Sequence, residues 1–159
     1  MPSARLKKFL DEQHVKYLSL QHSRAYTAQE IAAKMHIHGW ELAKTTILKV
    51  DGKFVMAVMP APIQVDMSAF REAAGAKAVA LAAEEEFKQL FPECELGAMP
   101  PFGNLYGLPV YVDERLARDP SIVFNAGTHT EAIRMDFADF KRLVNPKVAH
   151  FGVGVGAHR

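Results

Sequence analysis

Apolar and polar positions along this chain recur with two different periods, and the switches between them mark the predicted elements. Leu6, Phe9 and Leu10 fall three and four residues apart, the spacing of one buried helix face, and Ser3 stands where a helix N-cap is favoured. Around Val15–Leu20 the period drops to two. Val15, Tyr17 and Ser19 alternate there with Lys16, Leu18 and Leu20, as in a short strand. Thr27-Ala28-Gln29-Glu30 has the form of a capping box, in which hydroxyl and carboxylate satisfy each other's backbone donors. It predicts a helix to about Met35.

The sharpest local pattern lies at Thr45–Val50 and Lys53–Met59, two β-prone runs separated by Asp51-Gly52. That dipeptide favours a type I′ turn, because both central positions need positive φ. A two-residue loop sets Val50 opposite Lys53 and Lys44 opposite Met59. Lys44 then shares a face with Thr46, Leu48 and Val50, at the end of an inward-looking row. The second run is apolar on both faces, the mark of a central strand covered on both sides.

Further along, Asp66 or Ser68 can cap a helix that runs to about Ala74 and stops at Gly75. Ala78–Leu81 reads as a short strand. Glu84–Phe91 reads as a helix with Phe87, Leu90 and Phe91 inward, ended by Pro92. Residues 97–107 form a loop rich in Pro and Gly. Leu108–Val112, Ile122–Asn125 and Glu131–Met135 read as strands. Asp136 caps a last helix carrying Phe137, Phe140, Leu143 and Val144. Helices and strands interleave without strict βαβ alternation, so an α+β fold with a mixed sheet is expected.

Composition narrows the class. At 159 residues and 49% hydrophobic, the chain has the size and apolar content of one ordinary domain. Its single cysteine, Cys94, excludes an intramolecular disulfide framework and a zinc ribbon. The balance of 19 Lys+Arg against 18 Asp+Glu argues against a protein that coats long duplex nucleic acid, and leaves room for a local contact with a nucleic-acid end. No apolar run approaches the roughly 18–20 residues of a membrane helix. The N-terminus is charged where a signal peptide carries an apolar core, so a cytoplasmic setting is expected.

Three segments carry candidate chemistry. A lysine ending a buried face, Lys44, either reaches water along its stem or serves a function, because an isolated buried ammonium is costly. Gly97-Ala98-Met99-Pro100-Pro101-Phe102-Gly103 is either a connector or a rigid loop whose backbone N–H groups meet a small polar ligand. Asn125-Ala126-Gly127-Thr128-His129-Thr130 puts small residues and a histidine at a strand end, as plain surface or as a pocket wall. His36 and His38 lack a third ligand of suitable spacing, so no metal is expected. Gly152-Val153-Gly154-Val155-Gly156 lacks the Gly-Lys-Ser/Thr of a phosphate loop, and no Gly-x-Ser-x-Gly elbow exists.

In order, Ala43-Lys44-Thr45, GAMPPFG, LPVYVDERL, FNAGTHTEAI and a closing helix resemble the YbaK/EbsC family, freestanding relatives of the editing domain inserted in bacterial prolyl-tRNA synthetases. The resemblance runs from about Leu6 to Val144. It implies one domain over residues 1–159, with a mostly antiparallel, barrel-like sheet, surrounding helices and a short C-terminal tail from about residue 147. It implies an aminoacyl-tRNA deacylase acting in trans, without a cofactor or a conventional triad, in which a tRNA ribose hydroxyl assists a water. Lys44 matches the family's functional lysine, and Gly97 and Pro101 match its Gly-x-x-x-Pro loop. Thr45, Tyr26, Thr27, Phe102, Gly103, Gly127 and His129 are the implied substrate-binding neighbours. The implied partners are an aminoacyl-tRNA acceptor end and a synthetase, with no membrane. The amino acid stays open among Ala, Cys, Ser and Thr. Two other readings stand beside this one: a non-catalytic module that binds tRNA ends or a synthetase, and a hydrolase of another small ester.

Overall fold

The Asp51-Gly52 hairpin organises the larger sheet. In the computed structural model, which describes residues 4–23, 30, 33, 41–95 and 97–154, both turn residues have positive φ, 51° and 85°. The flanking strands, β2 (Ala43–Val50) and β3 (Lys53–Pro60), pair in the expected register, Val50 with Lys53 and Lys44 with Met59. β1 is the earlier strand Tyr17–Gln21, and it follows helix α1 (Ala4–Glu12), which buries Leu6 and Leu10.

After the hairpin come β4 (Ile63–Val65), α2 (Met67–Ala74), β5 (Val79–Leu81) and α3 (Glu84–Phe87), the last continued by a 3-10 turn over Lys88–Leu90. Asp66 caps α2 by accepting from Ser68 and Ala69 N–H, and Gly75 closes it at φ 63°. Beyond the Pro/Gly loop and its 3-10 turn (Gly103–Leu105) follow β6 (Val110–Asp113), α4 (Glu114–Ala117), β7 (Ser121–Asn125), β8 (Glu131–Asp136), α5 (Phe137–Val144), β9 (Lys147–Ala149) and β10 (Gly152–Gly154).

The strands form three sheets, ordered β5-β2-β3-β6-β9, β1-β8-β7 and β10-β4. Most pairs are antiparallel, while β3-β6 and β6-β9 are parallel. The fold is therefore α+β with mixed sheets, and they do not close into the expected barrel. β3 is central and covered on both faces. One face packs Met56 and Val58 into the main core with Phe102, Phe124 and Phe140. The other packs Val55, Ala57 and Met59 against Phe70 and Phe151. An isolated parallel bridge, Leu42 to Val123, joins the two larger sheets.

Residues 147–154, the described part of the expected tail, pack onto the sheets. β9 adds a parallel strand to the large sheet, Phe151 is fully buried, and β10 pairs with β4. The cause is Asp113. Its buried carboxylate accepts from Phe151 N–H (3.1 Å) and Gly152 N–H (2.6 Å), and its other oxygen caps α4 through Arg115 N–H. No helix among the described residues is long and apolar enough to cross a membrane.

Candidate active site

Lys44 begins the row that the strand pattern assigned to it. Cross-strand partners share a face, so Lys44 lies with Met59 and Leu48 over the Phe70–Phe151 cluster. Thr45, opposite Val58, faces the main core on the other side of β2. Lys44 is half-buried, and among the described residues no acceptor or anion pairs with it. Removal from water disfavours the charged form, so burial holds the ammonium's pKa below the ordinary lysine value.

The second and third candidate segments meet each other directly. Ala98 N–H donates to Glu95 O (3.0 Å) across Gly97, which sits at φ 84°. That φ is the left-handed value that glycine adopts without steric penalty. Glu95 N–H donates to Gly127 O (2.8 Å), and Gly127 N–H donates to Ala98 O (2.9 Å). Gly127, at φ 95°, is buried where the two segments cross. The Glu95 carboxylate accepts from His129 N–H at 2.7 Å. The His129 ring lies over exposed Gly97, with Cε1 3.4 Å from the place a β-carbon there would occupy. Among the described residues nothing accepts from the backbone N–H groups of Gly97 and Met99.

The Leu42–Val123 bridge relates Lys44 to these loops. The two chains run parallel through it, so Lys44 stands level with Asn125, where β7 ends and leads into Ala126-Gly127. The bridge thus sets the start of β2 beside β7, whose end leads into the segment that carries Gly127 and His129.

Two expected substrate contacts are buried in the fold. Phe102 is fully buried, with ring centroids 5.4 Å from both Phe124 and Phe140 and 6.2 Å from Phe9. Its area is spent in the core, where it anchors the loop from beneath. Gly103 is also buried. A β-carbon there would meet Leu108 O at 2.5 Å and Val110 Cγ2 at 2.6 Å, so this glycine serves a tight chain crossing. Pro101 is buried at the loop's base. Tyr26, Thr27, His36 and His38 lie outside the described residues. Glu95 was not among the expected site residues. A carboxylate two positions before Gly97 carries no motif, and its role depends on a partner 34 residues away.

Cys94 is set apart from this chemistry. Its thiol hydrogen-bonds with Tyr106 Oη at 3.4 Å, and burial pushes its pKa up, which disfavours a thiolate nucleophile. Among the described residues no three of His, Cys, Asp and Glu gather to hold a metal ion.

The model of the aminoacyl-tRNA editing domain matches residues 22–143, a span that includes Lys44, the Gly97–Gly103 loop and His129. The chain belongs to the aminoacyl-tRNA editing domain family. It is a hydrolase of the aminoacyl-tRNA deacylase class. A multifunctional Ser/Thr-tRNA deacylase of Escherichia coli K12, ProXp-y, is 32% identical over 114 residues, 69% of this chain and 68% of the relative. The proline–tRNA ligase of Bacillus cytotoxicus is 32% identical over 89 residues. Those cover 56% of this chain and 16% of the ligase, so the likeness is to a part of that protein. The crystal structure of a candidate trans-editing enzyme for prolyl tRNA synthetase superposes with a TM-score of 0.82 over 96% of this chain and 98% of that one. At 22% identity that likeness concerns the fold.

Proposed function

We propose that this member of the editing family acts in trans on mischarged tRNA, hydrolysing the ester between a small amino acid and the terminal adenosine. One observation carries the reading: Lys44, half-buried and without a partner among the described residues, follows the bridge to β7, which leads into the loops locked together at Gly97, Gly127 and His129. An ammonium so placed suits a phosphate or another anionic part of the tRNA end. The braced loop, with the N–H groups of Gly97 and Met99, suits the carbonyl oxygen that gains negative charge as water attacks.

In this scheme Lys44 holds the acceptor end, and Thr45 lies beside it on the neighbouring face. The Gly97–Pro101 loop, Gly127 and His129 seat the aminoacyl group, and Tyr26 and Thr27 add to the wall. Water adds to the ester carbonyl with help from a ribose hydroxyl. The acyl C–O bond breaks, and the leaving ribose oxygen takes a proton. An aminoacyl ester is already activated, so positioning and oxyanion stabilisation are sufficient chemistry. The amino acid belongs to the set Ala, Cys, Ser and Thr, and the Ser/Thr specificity in the name of the E. coli relative supports its hydroxyl members. Translation is the setting, in the cytoplasm, with a synthetase as a natural source of the mischarged tRNA.

The test is deacylation of tRNAs charged separately with Ala, Cys, Ser, Thr and Pro. Rapid loss of one or two of these esters, abolished in Lys44→Ala with the fold intact, is the expected result. A folded wild type that binds the tRNAs yet hydrolyses none of them identifies a binding module instead.

A further inference from the structure

We propose that Glu95 is a positioning residue for this site, holding the His129 segment against the Gly97 loop; the proposal rests on the deacylase reading above. Glu95 ties the two segments together by backbone and side chain at once. Its N–H donates to Gly127 O at 2.8 Å, and its carbonyl accepts from Ala98 N–H at 3.0 Å. Its Oε1 accepts from His129 N–H at 2.7 Å. A carboxylate accepting from a backbone N–H makes one of the stronger hydrogen bonds available to a side chain. This one fixes the residue whose ring stands 3.4 Å from a β-carbon position at Gly97.

Other hydrogen bonds of residues 128–130 lie within the turn or at its far end. Thr130 N–H approaches Thr128 Oγ1 at 3.3 Å, and the two threonine hydroxyls meet at 3.1 Å, both within the turn itself. His22 N–H donates to Thr130 O at 2.8 Å, which fixes the far end of the turn to β1. The Glu95 carboxylate reaches from beside the glycine loop to the His129 backbone. Without it the backbone at residue 129 can drift and carry the ring off Gly97. A displacement of about 1 Å in positioning groups can cost on the order of a hundredfold in rate.

The experiment compares wild type, Glu95→Ala, Glu95→Gln and Glu95→Asp in single-turnover deacylation of the charged tRNA that wild type cleaves fastest. NMR of the His129 ring Cε1–H signal is recorded on the same samples. Glutamine keeps an oxygen acceptor at the same reach, alanine removes it, and aspartate draws it back by one methylene. The expected result is a rate constant at least tenfold lower in Glu95→Ala, with tRNA affinity changed less than threefold. The His129 signal should shift in Glu95→Ala, while Glu95→Gln recovers both rate and signal. Glu95→Ala within twofold of wild type, or Glu95→Gln as slow as Glu95→Ala, overturns the proposal. If Glu95→Ala loses its cooperative melt, the remaining pair decides. Glu95→Gln must then be active and Glu95→Asp slow, and equal rates overturn it. A wild type inactive on every charged tRNA refutes the deacylase reading. The His129 signal then decides the positioning claim alone, which an unmoved signal in Glu95→Ala and Glu95→Asp would end.

Discussion

In its proposed role Lys44 would weaken the fold and serve the site. Its burial lowers the pKa, so the folded state binds the proton less tightly than the unfolded chain. Below the folded pKa both states are protonated, and the native state bears the whole cost of the half-buried charge. Between the folded and unfolded values the native state holds fewer protons, so stability rises with pH there. Lys44→Met removes the charge and keeps most of the apolar stem. Its melting temperature should equal or exceed that of wild type near neutral pH. The difference should shrink as pH passes the ordinary lysine value of about 10.4. Activity should move the other way, with deacylation reduced about a hundredfold in Lys44→Met. Wild-type activity should decline at a lower alkaline pH than an ordinary exposed lysine would give. Melting curves and single-turnover rates from pH 6 to 10.5 check both, and a clearly less stable Lys44→Met would make Lys44 a structural residue. The lysine's position was readable from sequence because the Asp51-Gly52 turn counts back to it residue by residue. Glu95 was not readable, because no local pattern links it to His129.

Among the elements, those with a strong local signal matched expectation and those held by distant partners did not. Phe140 and Leu10 lie on helices whose apolar spacing announces them, and both are fully buried. β9 and β10 have three residues each, with glycines at both ends of β10, and neither offers an alternation to read. A carboxylate on β6 fastens the approach to β10. Asp113 supplies acceptors to three backbone N–H groups, one on α4 and two on the approach to β10. Asp113→Ala strands those donors in the interior and removes bonds to a charged acceptor, each worth about 1.5–3 kcal/mol. The expected loss is about 3–5 kcal/mol, which for a chain of this size lowers the melting temperature by roughly 10 °C. Gly152→Ala attacks the same joint from the other side. A β-carbon there would lie 2.3 Å from Ile63 Cδ1 and 2.9 Å from Asp113 Oδ2. Both variants should expose the C-terminal strands early in hydrogen exchange, and a change of less than 1 kcal/mol in Asp113→Ala would show the clasp to be idle.

At the scale of the molecule, the proposed site draws on three stretches that sequence separates by dozens of residues. Position 44 opens a strand of the large sheet, position 97 lies on a loop, and position 127 follows a strand of the smaller sheet. Their order along the chain was visible, but the brace between the last two and the Leu42–Val123 bridge toward the first are long-range contacts that no window of sequence contains. That geometry limits the grip on tRNA. The chain carries a net charge of +1, and the cation assigned to the proposed site among the described residues is half-buried Lys44. A protein that neutralises Z phosphates of a single strand shows a slope of about −0.7Z in log affinity against log salt. One or two contacts at the single-stranded acceptor end predict a slope between about −0.7 and −1.4 for wild type, lowered by about 0.7 in Lys44→Met. Binding titrations from 50 to 300 mM salt measure it, with full-length tRNA and an acceptor-stem minihelix side by side. The two substrates should bind within a few-fold of each other, because the contacts end near the terminal adenosine. A slope steeper than about −4, or a minihelix bound far more weakly than tRNA, would mean that the protein reads the tRNA body through a surface other than this site.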